Sequence, residues 1–146
     1  MKTLGKVRVG DFTFKLTECN CSSCQSMCLN PCWPLPQEAI ALIEAGYGDR
    51  LHSDFHEEYE NGELILSVRV LAPRTKPDGK YPVCTFFTEG KCELHDTGLK
   101  PVEARILSHR AQPDEQWLRD IVGREWDSRA GQQALELWMM QQRKGN

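Results

Sequence analysis

Hydrophobic positions change period several times along the chain, and each change predicts an element. Val7, Val9, Phe12 and Phe14 alternate roughly with polar residues around Gly10-Asp11, which predicts a strand or hairpin. Residues 36–45 read as a helix: Pro36 fits the first turn, Glu38 lies near the positive end, and Ile40, Leu42 and Ile43 share an inward face. Gly46 or Gly48 ends it. Residues 50–58 are polar and carry His52 and His56 at i, i+4. Leu64, Leu66, Val68 and Val70 then alternate, predicting a strand over 64–71 with one apolar face. Residues 73–82 read as a loop turning at Pro77-Asp78-Gly79.

Residues 83–87 and 91–94 flank Thr88-Glu89-Gly90, the pattern of a hairpin, which puts Cys84 and Cys92 opposite one another on adjoining strands. The helical period returns over 101–109 and again from Pro113, where Trp117, Leu118, Ile121 and Val122 form a stripe. A last helix over about 129–143 has a broad apolar face of Ala134, Leu135, Leu137, Trp138 and Met139. The sum is an α+β fold, a small metal-stapled domain with short β-hairpins and C-terminal helices.

Composition explains why a staple is expected. The chain has 146 residues, which suits one domain, 1–146. Hydrophobic residues make up 40% and aromatics 8%, a lean supply for a core, so a metal is a natural supplement. A net charge of −3 argues against nucleic acid as a partner, because phosphate binding needs a basic footprint. No signal peptide or membrane-spanning run is evident, so the expected setting is soluble and cytoplasmic. An unidentified protein partner is the remaining partner class.

The chemistry lies in the cysteines. Five of the seven are Cys19, Cys21, Cys24, Cys28 and Cys32; Cys84 and Cys92 follow, with His95 three residues later. Reducing compartments disfavour disulfides, and clustered thiolates suit zinc or iron–sulfur ligation. Pro31 interrupts any single helix through Cys24, Cys28 and Cys32. Cys21, Cys24, Cys28, Cys32, Cys84, Cys92 and His95 are the candidate metal ligands, and Cys19 ranks last. Zinc is the expected metal in protein isolated in air, with an iron–sulfur cluster as the alternative. Seven thiols and one imidazole exceed one tetrahedral site, so one or two centres fit.

Two segments carry a family resemblance. One is Cys21-Ser-Ser-Cys24 through Cys28 and Cys32, followed by a helix beginning near Pro36. The other is Cys84-Thr-Phe-Phe-Thr-Glu-Gly-Lys-Cys92-Glu-Leu-His95, followed by Leu99-Lys100-Pro101-Val-Glu-Ala-Arg105. Over about residues 19–110 the chain resembles the YkgJ-type cysteine-cluster proteins, a family of zinc- or iron-chelating domains. The resemblance implies metal binding. His95 stands where that family has tyrosine, and Ala104 where it often has another cysteine. The first cluster lacks the family's adjacent cysteines, and two extra residues precede Lys100. His95 compensating for a ligand lost at Ala104 is the expectation that follows.

Other residues have simpler readings. His52 and His56, with Asp54, Glu57 and Glu58, offer an oxygen/nitrogen site, but an acidic polar stretch more often forms a solvated face. Trp33 is expected to shield the metal loop. Glu103 and Arg105 are expected to form a helix-end charge and a structural ion pair. No phosphate loop, nucleophile elbow or dinucleotide fingerprint occurs, so catalysis stays open. The leading functional expectation is a structural or accessory metal-binding protein. The alternatives are an iron–sulfur redox or accessory enzyme component, and a zinc-stapled adaptor.

Overall fold

The computed structural model describes residues 2–18, 30–78, 81–107 and 114–144. They form four separate two-stranded antiparallel hairpins and a set of helices, most of them in the C-terminal part. β1 (Lys2–Val9) pairs with β2 (Phe12–Glu18) across the expected turn at Gly10-Asp11. α1 (Pro36–Leu42) begins where proline was expected to start it. A π-helical turn, Ile43–Tyr47, and a short 3-10 turn, Gly48–Arg50, carry the chain into the next hairpin.

That hairpin is β3 (Leu51–Glu60) with β4 (Glu63–Pro73). Its turn is Asn61-Gly62, with φ of 51° and 82°. Two successive left-handed residues give the hairpin turn that matches the twist of the strands, and Asn-Gly is the pair that tolerates it best. β3 places the i, i+4 histidines on a strand, where that even spacing also shares one face.

The alternating face of β4 is real but covered only at one end. Leu64 is 52% exposed, whereas Val70 and Leu71 are fully buried. The ribbon outruns the helices that pack on it, so Tyr59, Leu64 and Ile65 near its tip, and Phe55 at mid-strand, remain exposed. Burial of Val70 and Leu71 each contributes roughly 2 kcal/mol on transfer grounds.

The stretch expected as a loop is a third hairpin, β5 (Thr75–Asp78) with β6 (Tyr81–Cys84). Pro77 faces Pro82 across it, a pairing that a two-stranded ribbon admits because each strand has an open edge. The fourth hairpin, β7 (Phe87–Thr88) with β8 (Lys91–Cys92), has the expected Thr88-Glu89-Gly90 turn region. The cysteines are not opposite one another: Cys84 pairs with Thr75 and Cys92 with Phe87. The polypeptide leaves β6 through Thr85 and Phe86 before β7 starts, so the two thiols belong to different ribbons.

α2 (Val102–Ile106), α3 (Glu115–Arg124) and α4 (Arg129–Lys144) complete the fold. Asp114 caps α3 by accepting from Trp117 N at 2.8 Å. Trp117 itself leaves the expected stripe. It is 39% exposed and meets Phe12 edge-on, with ring centroids 4.9 Å apart, while Leu118, Ile121 and Val122 are buried. The core unites Leu42, Phe86, Leu94, Ile106, Leu118 and Trp126. On α4 only the Ala134 side of the broad apolar face is fully buried; Trp138 donates its indole N–H to Gly48 O at 3.0 Å. Among the described residues no helix is long and apolar enough to cross a membrane.

Candidate metal centre

The approach to the cysteines is built on residues 31–36. Proline at 31, 34 and 36 keeps this stretch out of regular structure, so its backbone polar groups need partners elsewhere. Glu103 Oε1, on α2, accepts from Trp33 N at 2.8 Å. Arg119, on α3, donates to Pro31 O at 2.9 Å. Trp126 donates its indole N–H to Pro34 O at 3.0 Å. Glu38 Oε1 accepts from Leu35 N at 2.9 Å and from Val102 N at 3.0 Å. The segment is thus pinned to three helices.

Two ion pairs add further bonds among the same helices. Arg119 donates to Glu103 Oε1 at 2.8 Å and to Oε2 at 3.1 Å, with Glu103 only 3% exposed. Arg105 pairs with Glu38 and also donates to Lys100 O at 3.0 Å. Glu103 and Arg105 are therefore ion-paired as expected, but with separate partners. Arg119 also lies over the Trp33 ring, 4.6 Å from its centroid, and Trp33 is buried.

Cys32, Cys84 and Cys92 line one small apolar cleft with Phe86, Leu94 and Ala104. Cys84 and Cys92 are buried and Cys32 is half-buried. Cys32 also borders a second, polar cleft of about 270 Å³ that holds Glu103, Gln116 and Arg119. Burial pushes the Cys32 thiol far up; Glu103 and Cys84 push it further, and Arg119 opposes them. Burial likewise raises Cys84, with Cys92 adding to it and the Phe86 amide opposing. The surroundings thus favour neutral thiols, and a bound cation would have to supply the charge that makes them thiolates.

His95 follows Leu94 and donates its backbone N–H to Cys92 O at 3.1 Å. Its Nδ1 lies 3.1 Å from Lys100 Nζ, within hydrogen-bond distance. Nε2 is buried without a hydrogen-bond partner among the described residues; Asp96 Oδ1 is 3.6 Å away, too far for one. His95 is not among the residues lining the cysteine cleft, whereas Ala104 is. Cys19, Cys21, Cys24 and Cys28 lie outside the described residues.

Among the described residues, the ligating side chains whose atoms all lie within 4.8 Å of one another are His56, Glu58 and Asp120. His56 Nε2 is 3.1 Å from Glu58 Oε2 and 3.5 Å from Asp120 Oδ1. Its partners are therefore not His52, Asp54 or Glu57. Arg124 donates to both oxygens of Glu58, at 2.9 Å or more through Nε, and holds that carboxyl below its ordinary range. Sequence reasoning missed Asp120, Arg119 and Arg124. Each acts across a long separation, 66 residues for Arg124 and Glu58, and no local pattern marks it. Comparison of the chain with protein-family models, with curated proteins and with solved structures returns no match.

Proposed function

We propose that the chain is a metal-binding protein with a cysteine-rich zinc or iron centre, structural or accessory in role. The observation that carries this reading is the convergence of Cys32, Cys84 and Cys92, from three separate segments, on one cleft. Ordinary buried cysteines have no reason to meet in this way, and four further thiols precede Cys32 within fourteen residues of chain. In this reading Cys21, Cys24 and Cys28 supply the remaining thiolates, and the metal adds folding free energy because its site is absent from the unfolded chain. The resemblance to YkgJ-type proteins supports the same class. His95 is the weakest of the proposed ligands, since its ring is engaged by Lys100. A reducing cytoplasm would keep the thiols available.

The polar cleft beside Cys32 favours a second reading, an iron–sulfur or open metal centre serving an accessory enzyme role, because it brings solvent and small solutes next to the thiol. Metal and acid-labile sulfide per chain, measured on protein purified without oxygen, test both. Zinc without sulfide supports the structural centre, and iron with matching sulfide supports the cluster. Protein with neither, in which every thiol titrates freely, overturns the metal reading altogether.

A further inference from the structure

We propose that His56, Glu58 and Asp120 form a second cation site, distinct from the thiols, that takes a divalent metal preferring nitrogen and oxygen ligands, such as Mn2+ or Fe2+. The donor set suits such ions, whereas thiolates select softer ones. Bonds of about 2.1 Å put neighbouring ligand atoms roughly 3.0–3.5 Å apart. The separations from His56 Nε2 are 3.1 Å to Glu58 and 3.5 Å to Asp120.

The imidazole is aimed before any ion arrives. His56 is 3% exposed. Its ring lies against Gly123, where an added Cβ would come within 2.4 Å of Cγ and 2.9 Å of Nδ1. Trp33 meets it edge-on, with centroids 5.9 Å apart. Only the absence of a side chain at residue 123 makes room for this cradle, and the cradle turns Nε2 toward both carboxylates. Gln116 donates to Asp120 Oδ1 at 2.9 Å and so orients the second carboxylate from outside.

Arg124 now supplies the positive charge. Its side chain is 60% exposed, and the guanidinium bonds to Glu58. It can therefore swing into solvent when a more concentrated charge takes its place. Asp120 is 27% exposed, so water can reach the remaining coordination positions.

The test is Mn2+ uptake, read as loss of the free-ion electron paramagnetic resonance signal on the full chain. Wild type should take up one Mn2+ per chain. Asp120→Asn, at a partly exposed helix position, should weaken uptake about tenfold or more. Asp54→Asn, an exposed carboxylate on the same strand, should leave it unchanged. Arg124→Gln should keep or tighten it, because a competitor is removed. Absence of uptake by wild type up to about 1 mM Mn2+ overturns the site. Equal uptake by Asp120→Asn, or loss of uptake in Arg124→Gln, overturns it as well. The outcome is independent of the thiolate reading, which stands or falls on zinc, iron and sulfide content.

Discussion

Arg119 and Glu103 hold each other and, between them, both backbone neighbours of Cys32. The carboxylate accepts from Trp33 N at 2.8 Å, and the guanidinium donates to Pro31 O at 2.9 Å. One ion pair, between two helices, thereby sets the direction from which this cysteine reaches its cleft.

Removing the guanidinium tests how much depends on it. Arg119→Met keeps the bulk but leaves Glu103 buried with one donor. Breaking a buried pair costs about 3–5 kcal/mol; Arg119 is partly exposed, so a loss of about 2–3 kcal/mol is expected in urea denaturation. Glu103→Gln, which still accepts from Trp33, should lose less. A change under about 0.5 kcal/mol for Arg119→Met would show the pair to be dispensable.

Two glycines in helices should resist alanine. Helix propensity alone predicts a gain of about 1 kcal/mol from each Gly→Ala change. At Gly131 an added Cβ would come within 2.1 Å of the Trp126 carbonyl oxygen, which is backbone and cannot move aside cheaply. At Gly123 it would strike the His56 ring. Both variants should therefore lower the thermal midpoint, with an overpacking cost of about 1–3 kcal/mol and Gly131→Ala the worse. A rise in midpoint for either would contradict the packing described.

Acid should loosen the link between the 3-10 turn and Glu93, the residue after β8. Hydrogen bonding to Arg50, at 2.7 Å, holds the Glu93 carboxyl below its ordinary 4.5. A depressed carboxylate contributes stability above its unfolded value and loses it as pH falls through the lower folded value. Wild type should thus lose stability below about pH 4.5, and Glu93→Gln should flatten that limb of the curve. The pair is more than a third exposed, so the contribution is expected to stay under about 1 kcal/mol and to shrink with salt. Parallel acid limbs for the two proteins would rule the link out.

Trp126→Phe should report on the anchoring of Pro34. The ring remains apolar, but the Pro34 carbonyl loses its indole donor in a buried setting. A loss of about 1–3 kcal/mol is expected for the orphaned acceptor and the smaller ring. Unchanged stability would mean that another group satisfies the carbonyl.

Local signals were legible; distant ones were not. The turns at Gly10-Asp11 and Thr88-Glu89-Gly90 and the proline start of α1 could be read directly, since each depends on neighbouring residues. Residues 73–82 looked like a loop because three prolines, Pro73, Pro77 and Pro82, and the Pro77-Asp78-Gly79 turn signal sit in them, yet open-edged ribbons accept proline. The Asn61-Gly62 turn was equally readable in principle and went unused. Of the proposed thiol ligands, the meeting of Cys84 with Cys92 in one cleft was anticipated, though by way of a strand pairing that does not occur. The partners of Glu103, Glu38 and Glu58 depend on how α2 and α3 pack, which no short window contains.

The four hairpins have a kinetic consequence. Each closes over a short turn, and such ribbons form in about 1–10 μs when their turn chemistry is good. The bonds that fix residues 33 and 34 span 70 and 92 residues and must wait for α2 and for the turn after α3 to arrive. Loop closure of that length comes late. The stretch at residues 33 and 34 is therefore the last part to dock, and Trp126→Phe should speed unfolding while leaving the refolding rate nearly unchanged. A newly made chain would carry its hairpins before its cleft, so on the metal-binding reading proposed above the ion would be met in the final stage of folding.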